Sequence, residues 1–262
     1  MSRHSEPYQE TKVDLAPPDI IGTLPPIDGG EENLLLKDAW LHPLRIKFPI
    51  WSEPAPQSGF FDIVQLFFGR GSDPVHERQL EGPITDTELW LEVPAKELNE
   101  GVHVLYYRLL PWNGSTPREC RHVNVTIDKS PPILAADSKL IFPPEVLPPN
   151  KLTAHYLEGD DLLRAGIRAY SGPKPGDAIT WYWDRSSSGA TVGGTKVLTV
   201  QDFDKPLTLD ITGDWIREQG DGDRYAWYRV TDRAGNTSGQ SAVQKLDVAA
   251  QPTRGFYRLQ KL

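Results

Sequence analysis

Two stretches of this chain match each other in pattern, and that match limits the fold more than any single motif does. Residues 104–116 and 225–237 each carry an aromatic-rich strand and then a polar Asn/Gly turn. Each is followed by another strand, ending at Ile127 in one case and Val248 in the other. Leu109 and Val230 are 121 residues apart, and so are Ile127 and Val248. Self-similarity at a fixed long period means one supersecondary unit used twice. Duplicated small β-modules present surfaces and set spacing more often than they carry a single catalytic centre.

A chain of 262 residues is long enough for two domains with their own cores. With 24 Pro and 22 Gly, turns are frequent and long helices are disfavoured. Hydrophobic residues make up 38% of the chain, yet no apolar run approaches the ~18 residues of a membrane span. The net charge of −8 argues against nucleic acid, because phosphate binding needs clustered Lys and Arg. Cys120 is the single cysteine, so no intramolecular disulfide forms and both cores must hold by packing. The opening Met1-Ser2-Arg3-His4-Ser5-Glu6 lacks the apolar region of a secretory signal, which leaves the cytoplasm or a dedicated export route.

Strand signals recur along both copies. Period-two alternation marks Leu44 to Phe48, Ile63 to Phe68 and Leu89 to Val93, then the aromatic strand and Val123 to Ile127. The second copy supplies Ile167 to Tyr170, Ile179 to Trp183, Leu207 to Ile211, Tyr225 to Val230 and Val243 to Val248. Short strands at this spacing with turns between them predict antiparallel β-sandwiches. The boundaries follow: residues 1–32 as a flexible lead-in and 33–130 as the first domain. Residues 131–250 form a Pro-rich linker strand plus the second domain, and 251–262 a tail. One helical turn is expected within residues 151–157.

Register then assigns faces. Val64, Leu66 and Phe68 share one core with Leu105, Tyr107 and Leu109; Ile179, Trp181 and Trp183 share the other with Ala226, Tyr228 and Val230. The alternate positions face out: Phe67, Tyr106 and Arg108 in the first copy, and Tyr182, Tyr225, Trp227 and Arg229 in the second.

At this point a resemblance appears. The run Tyr228-Arg229-Val230-Thr231-Asp232-Arg233-Ala234-Gly235-Asn236-Thr237-Ser238 resembles the strand-turn signature of bacterial immunoglobulin-like repeats, found in tandem in surface and adhesin-type proteins. Gly176-Asp177-Ala178-Ile179-Thr180-Trp181-Tyr182-Trp183 and Phe142-Pro143-Pro144-Glu145 are similar to other strands of those repeats. The first copy departs in detail, with Pro111-Trp112-Asn113-Gly114 at the turn. The resemblance implies an all-β chain of two tandem immunoglobulin-like antiparallel β-sandwich domains, acting as spacer or binding module. It supplies no catalytic residue, cofactor or metal.

Candidate chemistry is sparse. Cys120 and His122 flank Arg121, and the thiol reads as structural. The six histidines are scattered, with no helical pair for zinc. Asp221, Asp223, Asp202 and Asp204 suit turns, with calcium as the alternative. The outer aromatics are the better lead. Tyr182, Tyr225, Trp227 and Arg229 would form a patch for a protein partner, with a glycan as the alternative and burial under the rest of the chain as the plain reading. The segment from Arg254 to Leu259 is amphipathic and basic, and either docks on such a patch or frays. A hydrolase centre between the domains is the remaining option, with no motif behind it.

Overall fold

The structure, a computed structural model, describes residues 15–252. They fall into two compact units: residues 15–26 with Glu31–Lys129, and Ile27–Gly30 with residues 130–252.

In the first unit, β1 (Asp19–Ile20), β2 (Leu44–Pro49) and β5 (Glu88–Val93) form a three-stranded sheet in the order β1-β2-β5. Opposite it lie β4 (His76–Glu81), β3 (Phe61–Phe68), β6 (Gly101–Leu110) and β7 (Arg118–Glu119), with β8 (Val123–Ile127) also paired to β6. Alternation drives the packing: β2 and β5 bury Leu44, Ile46, Phe48, Leu89, Leu91 and Val93 against Val64, Leu66, Leu105, Tyr107 and Leu109. Phe48 stacks on Tyr107 across the core, ring centroids 4.1 Å apart.

The second unit repeats the plan. β10 (Leu162–Gly166) pairs with β13 (Thr208–Thr212), and Ile141 bridges to Gly166 at the edge. The facing sheet runs β12 (Val192–Val197), β11 (Ala178–Asp184), β14 (Gly222–Thr231), β15 (Gln244–Ala249) and β9 (Leu152–Thr153). β9 joins β15 in parallel and leads into the single turn α1 (Ala154–Leu157), capped by Thr153. Trp181, Trp183, Tyr228 and Val230 face Leu163, Ala165, Leu209 and Ile211 in one core.

Both units are thus antiparallel β-sandwiches. In each, the fourth strand (β4 or β12) pairs with β3 or β11, on the larger sheet. A constant-type immunoglobulin domain puts that strand on the other sheet.

Several sequence expectations are corrected. Residues 15–32, expected as a flexible lead-in, are built into the first unit over much of their length. Leu15 bridges to Cys120, β1 pairs with β2, Thr23 bridges to Leu35, and Leu15 and Ile20 are buried. Proline and glycine breakers hid a segment whose strands are only one or two residues long. The strand expected at Ile167 to Tyr170 lies earlier, at β10. The charged β4 and the Gly-containing β12 carry no alternation, and sequence reading missed both. It also missed α2 (Gly213–Gln219), where Thr212 accepts from the Trp215 N–H and buried Arg224 donates to the carbonyls of Gln219 and Gly220. The tail from Arg254 to Leu259 lies outside the described residues.

Candidate functional site

The outer face of the second unit's larger sheet brings the four expected residues together. Tyr182 pairs across the sheet with Trp227, Thr180 with Arg229, and Asp184 with Tyr225. Tyr182 stacks on Trp227 with centroids 3.7 Å apart and planes 10° apart, and the Arg229 guanidinium lies over the same indole at 5.3 Å. Lys245 sits 5.9 Å over the Tyr225 ring and pairs with Asp223 at 2.8 Å. The hydrogen bond that Lys245 donates to the Asp223 carboxylate holds its ammonium above its ordinary pKa.

Trp227 points outward as alternation requires, but it is not exposed: only 3% of its surface is accessible. The β11–β12 connection folds over it. Asp184 accepts from the Ser186 N–H and the Thr191 hydroxyl, and the Trp227 indole N–H donates to the Gly189 carbonyl at 3.1 Å. A Cβ on Gly189 would lie 2.0 Å from the Asp184 carboxyl, so this loop needs glycine to close down. Tyr182, Tyr225 and Arg229 are half-buried and form the accessible part of the patch.

The first unit carries the same device. Phe67 pairs with and stacks on Tyr106 at 4.7 Å, Arg108 lies 4.8 Å over Phe67, and His122 stacks on Tyr106 at 4.1 Å. Tyr106 and Trp227 are 121 residues apart, as are Arg108 and Arg229. The repeat therefore extends to the outer faces.

The buried polar groups are also duplicated, and sequence reading missed this. Asp62 and Asp177 each stand 115 residues apart at the start of the strand entering the core, the same offset that relates Val64 to Ile179. Asp62 accepts from the Trp51 indole N–H, the Ala55 N–H and the Trp112 N–H at 2.7–3.0 Å. Asp177 accepts from the Tyr170 hydroxyl at 2.6 Å and the Lys174 N–H. Burial, then Asp177, pushes the Tyr170 phenol well above its ordinary pKa. An aspartate at matching positions of both copies was the available signal.

Asp232 organises the turn that carried the resemblance. Its carboxylate accepts from the Gly235 and Asn236 N–H groups and from the Asn236 amide, and Gly235 takes φ +103°. The Cys120 sulfur accepts the Tyr107 N–H, and burial pushes its thiol up to about 11. Three of the four acidic residues considered for calcium are occupied separately. Asp221 accepts from the Ala250 and Gln251 N–H groups, Asp223 pairs with Lys245, and Asp202 pairs with Lys196 at 2.8 Å while capping Thr199. Among the described residues, no group of three or more His, Cys, Asp or Glu side chains could hold a metal ion.

No protein-family model and no curated protein matches the chain. Among solved structures, it is similar to the fibronectin(III)-like modules of Clostridium thermocellum CbhA, at 14% identity and a TM-score of 0.40, over 88% of this chain and 94% of that one. It is also similar to the FN1-FN3 domains of chicken CNTN1, at 9% identity and a TM-score of 0.40, over 90% of this chain and 65% of that one. A tetra-tandem repeat from the extending region of a large adhesion protein matches at 14% identity and a TM-score of 0.33, over 80% of this chain and 46% of that one. Likeness at this level carries nothing about ligand or partner.

Proposed function

We propose that this chain is a non-catalytic module of two β-sandwiches that spaces and recognises another protein, using the sheet face of Tyr182, Tyr225 and Arg229 with Trp227 as their support. The observation that carries this reading is how the buried polar groups are used. Asp62, Asp232, Cys120 and Ser241 spend their acceptor atoms on backbone N–H groups that shape turns and strand ends. Such groups build a scaffold and leave little with which to do acid–base or nucleophilic chemistry. Interfaces draw much of their energy from Tyr, Trp and Arg, the residues clustered here. The carbohydrate alternative gains nothing from Trp227, because Tyr182 and Arg229 both lie over its ring.

A photo-crosslinking side chain placed at position 225 tests the proposal. Irradiation with native extract should give one defined protein adduct, identified by mass spectrometry, that the same side chain at position 164 does not give. No adduct specific to position 225 would remove this face from consideration.

A further inference from the structure

One end of the first unit carries three aromatic side chains that its core does not use. Phe60 and Phe61 are 36% and 40% exposed, and Trp112 meets Phe60 edge-on with centroids 5.0 Å apart. Phe60 and Trp112 come from two connections, the one before β3 and the one after β6, which sequence separates by some fifty residues, and Phe61 opens β3 itself.

These connections are fixed. Buried Asp62 ties them to a single point, taking the Trp51 indole and Ala55 N–H groups from one and the Trp112 N–H from the other. The Trp112 indole also donates to the Glu53 carbonyl at 3.2 Å. The neighbouring hairpin closes the first connection from outside: the Gly82 N–H donates to the Phe60 carbonyl, and Glu81 accepts from the Ser58 hydroxyl and the Gly59 N–H. Those two hydrogen bonds hold the Glu81 carboxyl below its ordinary pKa. Aromatic groups held this way bind with little ordering cost, which is what distinguishes a recognition surface from a loose loop tip.

Two carboxylates border them: Glu53 lies in the first connection and Glu81 alongside it, while buried Asp62 is spent on its three N–H donors and the next basic residue after Trp112 is Arg118 of β7. Aromatic faces bordered by carboxylates attract cations through both the ring quadrupole and the carboxylate charge.

We propose that Phe60 and Trp112 form a preorganised docking surface for a segment of a partner protein in which Arg or Lys stands next to an aromatic side chain. This surface belongs to the first unit and stands independently of the sheet face around Tyr225.

The test uses the full chain and a fluorescein-labelled hexapeptide alternating arginine with phenylalanine, read by fluorescence anisotropy. Binding should be saturable and weaken as salt is raised. Trp112→Ala should weaken it by about tenfold or more. That variant keeps the backbone N–H that Asp62 accepts, while losing the indole bond to the Glu53 carbonyl. Glu53→Lys should weaken binding, and Trp90→Ala, on the first unit's other sheet, should leave it unchanged. The proposal is overturned if the peptide does not bind, if Trp112→Ala binds as well as the parent, or if a peptide with glutamate for arginine binds equally.

Discussion

Cys120 and Ser241 hold equivalent places 121 residues apart. The Tyr107 N–H donates to the Cys120 sulfur at 3.2 Å, and the Tyr228 N–H donates to Ser241 Oγ at 2.9 Å. In both units the residue's own N–H returns a bond to the tyrosine carbonyl, Cys120 to Tyr107 and Ser241 to Tyr228. The thiol is therefore a hydrogen-bond acceptor that a hydroxyl can replace. Cys120→Ser should change stability by about 1 kcal/mol or less. Cys120→Ala, which leaves the buried Tyr107 N–H without its acceptor, should cost about 1–3 kcal/mol. Urea unfolding of the two variants, followed by tryptophan fluorescence, separates these outcomes; equal losses would mean that the acceptor is irrelevant.

Alkaline pH should weaken the fold. Burial raises the Cys120 thiol to about 11, and burial likewise raises the Tyr107 and Tyr170 phenols. Each acid holds its proton more tightly when folded, so the unfolded chain releases protons first as pH rises. The thiol's contribution is complete below the ordinary thiol pKa near 9 and is lost as pH climbs through about 11. Urea midpoints at pH 8 and pH 10.5 should differ, and Cys120→Ser should reduce that difference without abolishing it.

Trp227→Ala should behave as a core substitution, despite the outward direction of the side chain. Loss of a buried indole costs about 3–5 kcal/mol, and here it also releases the Gly189 carbonyl. Tyr182→Ala should cost less, and a double-mutant cycle between the two should give a coupling of about 0.5–1.5 kcal/mol from the stacked rings. A melting temperature unchanged in Trp227→Ala would show that the loop over it does not close.

Gly193 supports a different contact. A Cβ there would stand 1.9 Å from the Trp181 ring, at the irregularity in the β11–β12 pairing. Gly193→Ala should cost about 1–3 kcal/mol by displacing that indole. Gly239→Ala, with nothing within 4 Å of the added carbon, is the matched control. Similar small losses in both would mean that Trp181 moves aside without penalty.

Strand identity and inward register were legible because side-chain alternation is a direct imprint of a two-layer core. Val64, Leu66, Tyr107, Trp183 and Tyr228 all face inward. Alternation says which way Trp227 points but not what lies above it, and a seven-residue connection pinned by Asp184 decided its burial. Edge strands escaped for the converse reason. β4 packs little, so Glu77, Arg78 and Gln79 replaced any apolar period, and charge on an edge discourages pairing with other chains. Asp62 and Asp177 went unnoticed because a lone aspartate reads as a turn former until the fold shows what it binds.

The placement of Leu15 and Ile20 bears on where a shortened first unit could begin. Leu15 bridges to Cys120, and Ile20 pairs with Ile46 of β2. Starting the chain at residue 33 would strip both contacts, uncover apolar side chains above β2 and Tyr107, and leave the backbone of β2 without its outer neighbour. A freshly bared strand beside uncovered hydrophobic groups is a template for self-association. Residues 15–20, which look dispensable in sequence, thus cover an edge that would otherwise invite self-association.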